Sequence, residues 1–351
     1  MINFEDFYIL IYGLMAIITL FFIKGNSSKA TNVIFVIIFT TLWVVLFGFR
    51  DFSTGSDTQS YLYSFNDFIQ NKNYIDYKDY KDLGYYLFLF IISKFTSNEL
   101  LFLFCFEILI IVPLVVSFIK FNVRKAFFLF FFFCSFFFFK SIGINIMRQG
   151  VSISFFLLGF VYYMKSKKSY YITFFIIALS FHASIFLPIL IIFFSRKIKS
   201  PLLPICVYLM AIVLSFFNFD FNLLLSYIPV LSFLFEDRLQ SCVNLNNSEY
   251  QIGFRLSFVL FNTLFAIIGY YFYRLNVVNH IKYYNTIFYT YLLLSANFFL
   301  MFNIPYSDRS GLLSWIFIPL LLYPFIIYRI KYGTIKLYIL CLLIFIFFYN
   351  I

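Results

Sequence analysis

The sequence predicts an all-α, polytopic transmembrane bundle of about twelve helices, and three observations carry that prediction. The 351 residues are 63% hydrophobic and 12% charged, with a mean hydropathy of +0.93. A water-soluble domain carries charge on about a quarter of its residues. The apolar residues come in runs of about 15 to 21, near the length that crosses ~30 Å of hydrocarbon as helix. Finally, six short stretches between these runs hold 16 of the 26 Lys and Arg residues and no Asp or Glu. Cytoplasmic loops carry such an excess, so this partition sets an orientation. The net charge of +11 is the same excess and does not point to nucleic acid. No polar linker exceeds about 36 residues, which favours a single integral membrane domain over 1–351.

The spans follow in order. Span one covers about 7–23 and meets Lys24 and Lys29; span two, 32–48, returns outward, making 49–84 a periplasmic loop. Residues 85–95 are too short to cross, since eleven helical residues reach about 17 Å. A crossing there would also put Lys120, Arg124 and Lys125 outside. An interfacial or re-entrant helix is expected instead, with 100–119 as the crossing. The Phe-rich span 126–139 goes outward, and its run Phe127–Phe139 is expected to be lipid-facing bulk. Span 150–164 comes back to Lys165, Lys167 and Lys168.

Residues 170–195 lie between those lysines and Arg196, Lys197 and Lys199, so they must cross an even number of times. About 13 residues per arm give a short hairpin with His182 at its midpoint. Then come 201–217 outward, a second periplasmic loop at 218–252, and 253–273 inward to Arg274 and Lys282. The chain continues with 284–303 outward, 312–328 inward to Arg329 and Lys331, and 337–350 outward.

The start, MINFEDFYIL, has acids and no Lys or Arg before its apolar run, the wrong flank for a cleaved signal peptide. Five cysteines (Cys105, Cys134, Cys206, Cys242, Cys341) show no paired or metal-like spacing, and only Cys242 lies in a polar loop. No disulfide framework is expected.

Chemistry has to be carried by polar residues opposite the basic loops. Arg50, Gly55, Asp57 and Tyr61 gather where span two meets the outer face; interfacial anchoring with an Asx-type turn at Asp57 is the plain alternative. Arg148 and Gln149 open span five, where a guanidinium offers a fixed fork for phosphate, or an ion pair with Asp57 or Asp308. His182 is either a core histidine bonded to backbone or a general base. Arg255 and Arg309 open two later spans, and Arg238 has Glu236 and Asp237 as local partners. Glu107, the only acid well inside a span, is not assigned. His182 and His280 fall on opposite sides, and no Asp-rich Mg²⁺ motif, Walker A loop, nucleophile elbow or Rossmann fingerprint occurs. No metal or cofactor is expected.

In this order, Arg50…Gly55-Ser56-Asp57…Tyr61, Gly84-Tyr85-Tyr86-Leu87, Asn145-Ile146-Met147-Arg148-Gln149, Lys167-Lys168, Phe181-His182-Ala183-Ser184, Gly253-Phe254-Arg255 and Arg309 resemble the EpsG-like family of membrane polysaccharide polymerases. These are similar to Wzy-type repeat-unit polymerases. The acid that often stands just before the Gly-Tyr of the short helix is shifted by one here, to Asp82, so Asp82 is assigned no role.

The resemblance implies transfer of a growing glycan from undecaprenyl pyrophosphate to a new lipid-linked repeat unit at the periplasmic face of the inner membrane. Membrane lipid surrounds such a protein, and a chain-length regulator is a candidate partner. A diphosphate leaving group needs fixed positive charge, for which Arg50, Arg148, Arg255 and Arg309 are the candidates, with Gln149 and Tyr61 also on the substrate. The acceptor hydroxyl needs a base, His182 first and Asp57 second. An O-antigen ligase using the same donor, and a flippase or transporter of the lipid-linked oligosaccharide, are the alternatives.

Overall fold

The computed structural model describes residues 3–24, 28–70, 82–219, 252–275, 281, 283–327 and 333–349. Residues 71–81 and 220–251 of the two expected loops lie outside the described residues, with Arg238, Cys242, His280, Lys282, Arg329 and Lys331. Among the described residues the regular elements are all helical. They are α1 (Phe4–Lys24), α2 (Lys29–Gly48), α3 (Thr58–Gln70), α4 (Leu83–Phe95), α5 (Glu99–Asn122), α6 (Ala126–Cys134), α7 (Phe138–Ile144), α8 (Met147–Met164) and α9 (Lys168–Phe181). The series continues with α10 (Phe186–Ser195), α11 (Leu202–Phe216), α12 (Leu256–Arg274), α13 (Tyr284–Leu300), α14 (Asp308–Trp315), α15 (Ile318–Leu321), α16 (Tyr323–Ile327) and α17 (Gly333–Tyr349).

Four helices (α1, α2, α5 and α12) and the broken run Asp308–Ile327 are long and apolar enough to cross a membrane, and the bent pair α6–α7 makes a sixth candidate. The protein is a multi-pass helical bundle. The segment expected to be interfacial forms α4, 13 residues long. The 170–195 segment forms two short helices, α9 and α10, joined by extended His182 (φ −161°, ψ 122°) and a single 3₁₀ turn at Ala183–Ile185. Two helix starts are capped by a short polar side chain in the following way. Asn98 Oδ1 accepts from Leu100 N (2.8 Å) and Leu101 N (3.2 Å) before α5, and Ser28 Oγ accepts from Thr31 N (3.0 Å) before α2.

Packing divides the chain into two compact units, Met1–Ala183 with Phe325–Ile351, and Ser184–Pro324. In the first, α8 lies between α5 and α9 and is buried almost throughout. The expected straight span 126–139 is instead broken, α6 and α7 meeting at 83°. Ser135 sits at the break. Its Oγ donates to the Phe131 carbonyl four residues back (2.8 Å) and accepts from Tyr12 OH (3.0 Å), and a hydroxyl bonded to the preceding turn bends helices.

The Phe run corrects a second expectation. Apart from Phe137, the phenylalanines of Phe127–Phe139 are at most 1% exposed, so they are core and not lipid-facing. Phe127 packs on Phe22 and Phe39, Phe131 on Tyr12 and Tyr338, Phe133 on Phe118, and Phe139 edge-on to Trp43. The surface contacts are made instead by residues such as Phe21, 72% exposed.

The second unit is built around α13, flanked by α11, α10, α12 and α14. Its polar centre is Asn262, fully buried on α12. The amide Oδ1 accepts from Ser295 Oγ (3.1 Å) and Trp315 Nε1 (3.2 Å), while Nδ2 donates to Phe258 O (2.8 Å). Tyr291 OH donates to the Asn262 carbonyl at 2.9 Å.

Phe132→Ala is expected to destabilise the protein by about 3–5 kcal/mol, since it opens a cavity in packed core. Phe21→Ala should change stability by well under 1 kcal/mol. Thermal unfolding of the two variants in one detergent separates the core role from the lipid-facing one.

Candidate functional site

The ordered motifs in the first unit fold onto one another. Gly55 has φ +86°, a conformation that favours glycine, and a Cβ there would come within 2.0 Å of Ile144 Cγ2 and 2.6 Å of Asn145 Oδ1. The turn therefore rests directly on the α7–α8 link, where Ser56 N donates to Asn145 Oδ1 (3.0 Å). An Asx turn forms at Asp51, whose Oδ1 accepts from Ser53 N (2.8 Å) and Ser53 Oγ (2.7 Å). Asp57 directly precedes α3; its Oδ1 accepts from Ser56 Oγ (2.8 Å) and its carbonyl accepts from Tyr61 N (3.2 Å).

Arg50 lies inside the protein, its side chain 0% exposed, beside the equally buried Glu107 of α5 at 3.0 Å. Nη1 donates to Glu107 Oε1 and to the Phe47 carbonyl (2.6 Å); Nε and Nη2 both reach Thr58 Oγ1 (3.3 Å), and Nη2 reaches Met147 Sδ (3.2 Å). A guanidinium has five N–H donors, and these contacts use them all. Sequence reasoning offered Arg50 to a substrate; in this arrangement it has no donor left to give.

Arg148, in the first turn of α8, is different. Its Nη1 pairs with Asp82 Oδ2 at 2.9 Å, and the two side chains are 42% and 12% exposed. The guanidinium lies over the Tyr85 ring, 5.5 Å from its centroid, and the Arg148 N–H donates to Tyr61 OH (3.4 Å). Burial pushes the Tyr61 phenol above its usual range, against the pull of the Arg148 charge. Tyr61 therefore stays a neutral hydroxyl. Arg148 pairs with Asp82, an acid that the sequence did not offer it.

His182 belongs to the same neighbourhood. One turn along α8 from Arg148, Ser152 Oγ donates to the carbonyls of Ala178 (2.7 Å) and His182 (3.4 Å). The His182 carbonyl is thereby held at Ser152, which lies one helical turn along α8 from Arg148. Gly84 brings α4 to the same place, since a Cβ there would meet Ser180 Oγ at 2.3 Å and Phe181 at 2.9 Å. Gln149, next to Arg148, is 2% exposed.

Arg255 and Arg309 belong to the second unit. Arg255 stands at the N-terminus of α12 with its guanidinium 5.7 Å from the Phe258 ring centroid; Arg309, in the first turn of α14, lies 5.0 Å from that of Tyr306. Among the described residues, no three His, Cys, Asp or Glu side chains gather as metal ligands would.

Two residues were missed by sequence reasoning. Asp82 stands one residue away from the spacing of the resembling motif, and its partner lies 66 residues on. Glu107 gave a signal, an acid alone in an apolar span, without naming its partner.

The sequence model described as the EpsG family matches residues 32–351. No curated protein and no solved structure matches the chain.

Removing either Arg50 or Glu107 leaves a buried charge alone, which costs about 3–5 kcal/mol. Arg50→Met and Glu107→Leu should each lower the Tm in detergent. The double variant should melt closer to wild type than either single one.

Proposed function

The chain belongs to the EpsG family of membrane polysaccharide polymerase-like proteins, and on that premise we propose that it is an oligosaccharide repeat-unit polymerase. It transfers a growing glycan from undecaprenyl pyrophosphate to a new lipid-linked repeat unit at the periplasmic face of the inner membrane. The observation that carries this reading is Arg148: a cation pinned by Asp82, Tyr61 and Tyr85, yet with 42% of its side chain open.

The reaction fits what this neighbourhood offers. An acceptor sugar hydroxyl attacks the anomeric carbon of the donor glycan, and the bond from that carbon to the diphosphate oxygen breaks. The electron pair leaves with the diphosphate, whose added charge Arg148 stabilises through a bidentate fork without needing a metal. The hydroxyl proton passes to a base, and His182 is our first choice because its carbonyl is bonded by Ser152, a residue one helical turn along α8 from Arg148. Asp57 is the second. Gln149 is proposed to hold sugar beside Arg148, Arg255 and Arg309 of the second unit are proposed as further substrate-binding residues, and Tyr61 acts by fixing the start of α8. Arg50 we assign to the frame. A chain-length regulator is a proposed protein partner.

Purified protein given its lipid-linked repeat unit should yield a ladder of longer lipid-linked glycans. Glycan appearing only on a lipid A core would mean a ligase, and movement of the lipid without chain growth a flippase. Arg148→Ala should slow ladder formation by about a hundredfold or more, as when one charge-stabilising donor is lost; full activity would remove Arg148 from the site. Orientation has its own check. In a cysteine-free background, an impermeant thiol reagent outside spheroplasts should label Ser53→Cys and leave Lys167→Cys untouched.

A further inference from the structure

Asp82 precedes the first residue of α4, the position at which an Asp side chain ordinarily accepts from the helix's own free N–H groups. Here it makes no such cap. Its backbone carbonyl accepts from Tyr85 N (3.0 Å) and Tyr86 N (3.3 Å), so the helix starts here, but its ψ of 64° is not the extended value of the capping residues Ser28 (161°) and Asn98 (120°); a turn of ψ would bring the carboxylate over α4, whereas here it meets Arg148 at 2.9 Å. The carboxylate thus occupies one N–H position of the guanidinium, at Nη1, that a bound anion would also use, and leaves the rest of the group open. It also has a second, local position available, over the N-terminus of α4, where the helix dipole favours negative charge.

We propose that Asp82 is an exchangeable occupant of the Arg148 anion site and sets its selectivity for diphosphates. A ligand with a single negative charge gains little by replacing a carboxylate of equal charge. A diphosphate carries more charge and more acceptor oxygens, so it takes the guanidinium, and Asp82 turns to cap α4. The free Asp82 rotamer is therefore not left as an unpaired charge. Tyr85 and Tyr61 hold Arg148 in place during the exchange, since neither contact needs the carboxylate. The choice of diphosphate as ligand class rests on the polymerase reading; the exchange itself is read from binding, with no turnover.

The test is calorimetric titration of the full chain in detergent with inorganic pyrophosphate, inorganic phosphate and farnesyl diphosphate. Farnesyl diphosphate binding tighter than pyrophosphate points to a lipid-borne source; equal binding points to the free anion. Asp82→Asn keeps the capping ability and loses the competing charge, and Asp82→Ser caps but is too short to reach Arg148. Both variants should bind pyrophosphate about five- to tenfold more tightly than wild type, the scale of one charge-assisted pair. Their preference for pyrophosphate over phosphate should shrink, and Arg148→Ala should abolish binding in every background. Unchanged or weaker pyrophosphate binding in both Asp82 variants would overturn the proposal, because the carboxylate would then be holding Arg148 for the ligand. Tighter binding without any chain growth by wild type would sink the polymerase reading and leave the exchange standing.

Discussion

The site depends on a cation that never meets solvent. Arg50 joins the last turn of α2 (Phe47), the start of α3 (Thr58), the middle of α5 (Glu107) and the first residue of α8 (Met147) through one planar group. Both charges of the Arg50–Glu107 pair are shut away, and such a pair contributes little net stability over a well-packed apolar replacement. Its value is geometric. A guanidinium bonded through five N–H groups to four partners restrains four chain segments at once. Two of those segments, α3 and α8, carry Tyr61 and Arg148.

From this hub the neighbourhood is assembled by short-range contacts. Thr58 and Tyr61 are three residues apart on α3, so anchoring one by Arg50 directs the other toward the Arg148 N–H. Met147 and Arg148 are adjacent, so the sulfur contact beneath fixes the helix start above. The Gly55 turn locks onto Asn145, Gly84 lets α4 reach the end of α9, and Ser152 ties the His182 turn to α8. Each motif is unremarkable alone. They share a place because glycines at 55 and 84 allow backbone approach that any other residue would block.

How much of this was legible in the sequence follows from what hydropathy measures. Helix α4 could be read as a short separate element, and His182 as the turn between α9 and α10, because charge partition and length count residues. The Phe run could not be placed. Lipid tails and protein interior are equally apolar, so thirteen consecutive near-phenylalanine positions look the same facing either. The break at Ser135 was hidden for a related reason, one hydroxyl in an apolar run being too weak a signal against the length of the span. Pairings were harder still. Glu107 was visible as an anomaly, but only the fold brings Arg50 across 57 positions to it. The same holds for Asp82, where a one-residue offset from a familiar motif outweighed the physical question of which carboxylate Arg148 would meet.

Arg50 and Arg148 show how a donor count separates the two uses of a cation in an apolar protein. A buried guanidinium is tolerated only when its N–H groups are bonded, so full saturation marks a residue whose work is to hold segments together. Arg148 has a carboxylate, a ring face and a hydroxyl near it, yet remains 42% exposed, an arrangement that keeps the group in place without closing it off. A fixed charge with an open face is what electrostatic stabilisation of a leaving group needs, because the dipoles are already oriented when charge develops. By that criterion Arg50 and Arg148, both candidates for the diphosphate from sequence, part company. The two arginines differ in how many of their five N–H groups are occupied, and that difference is visible only in the folded chain.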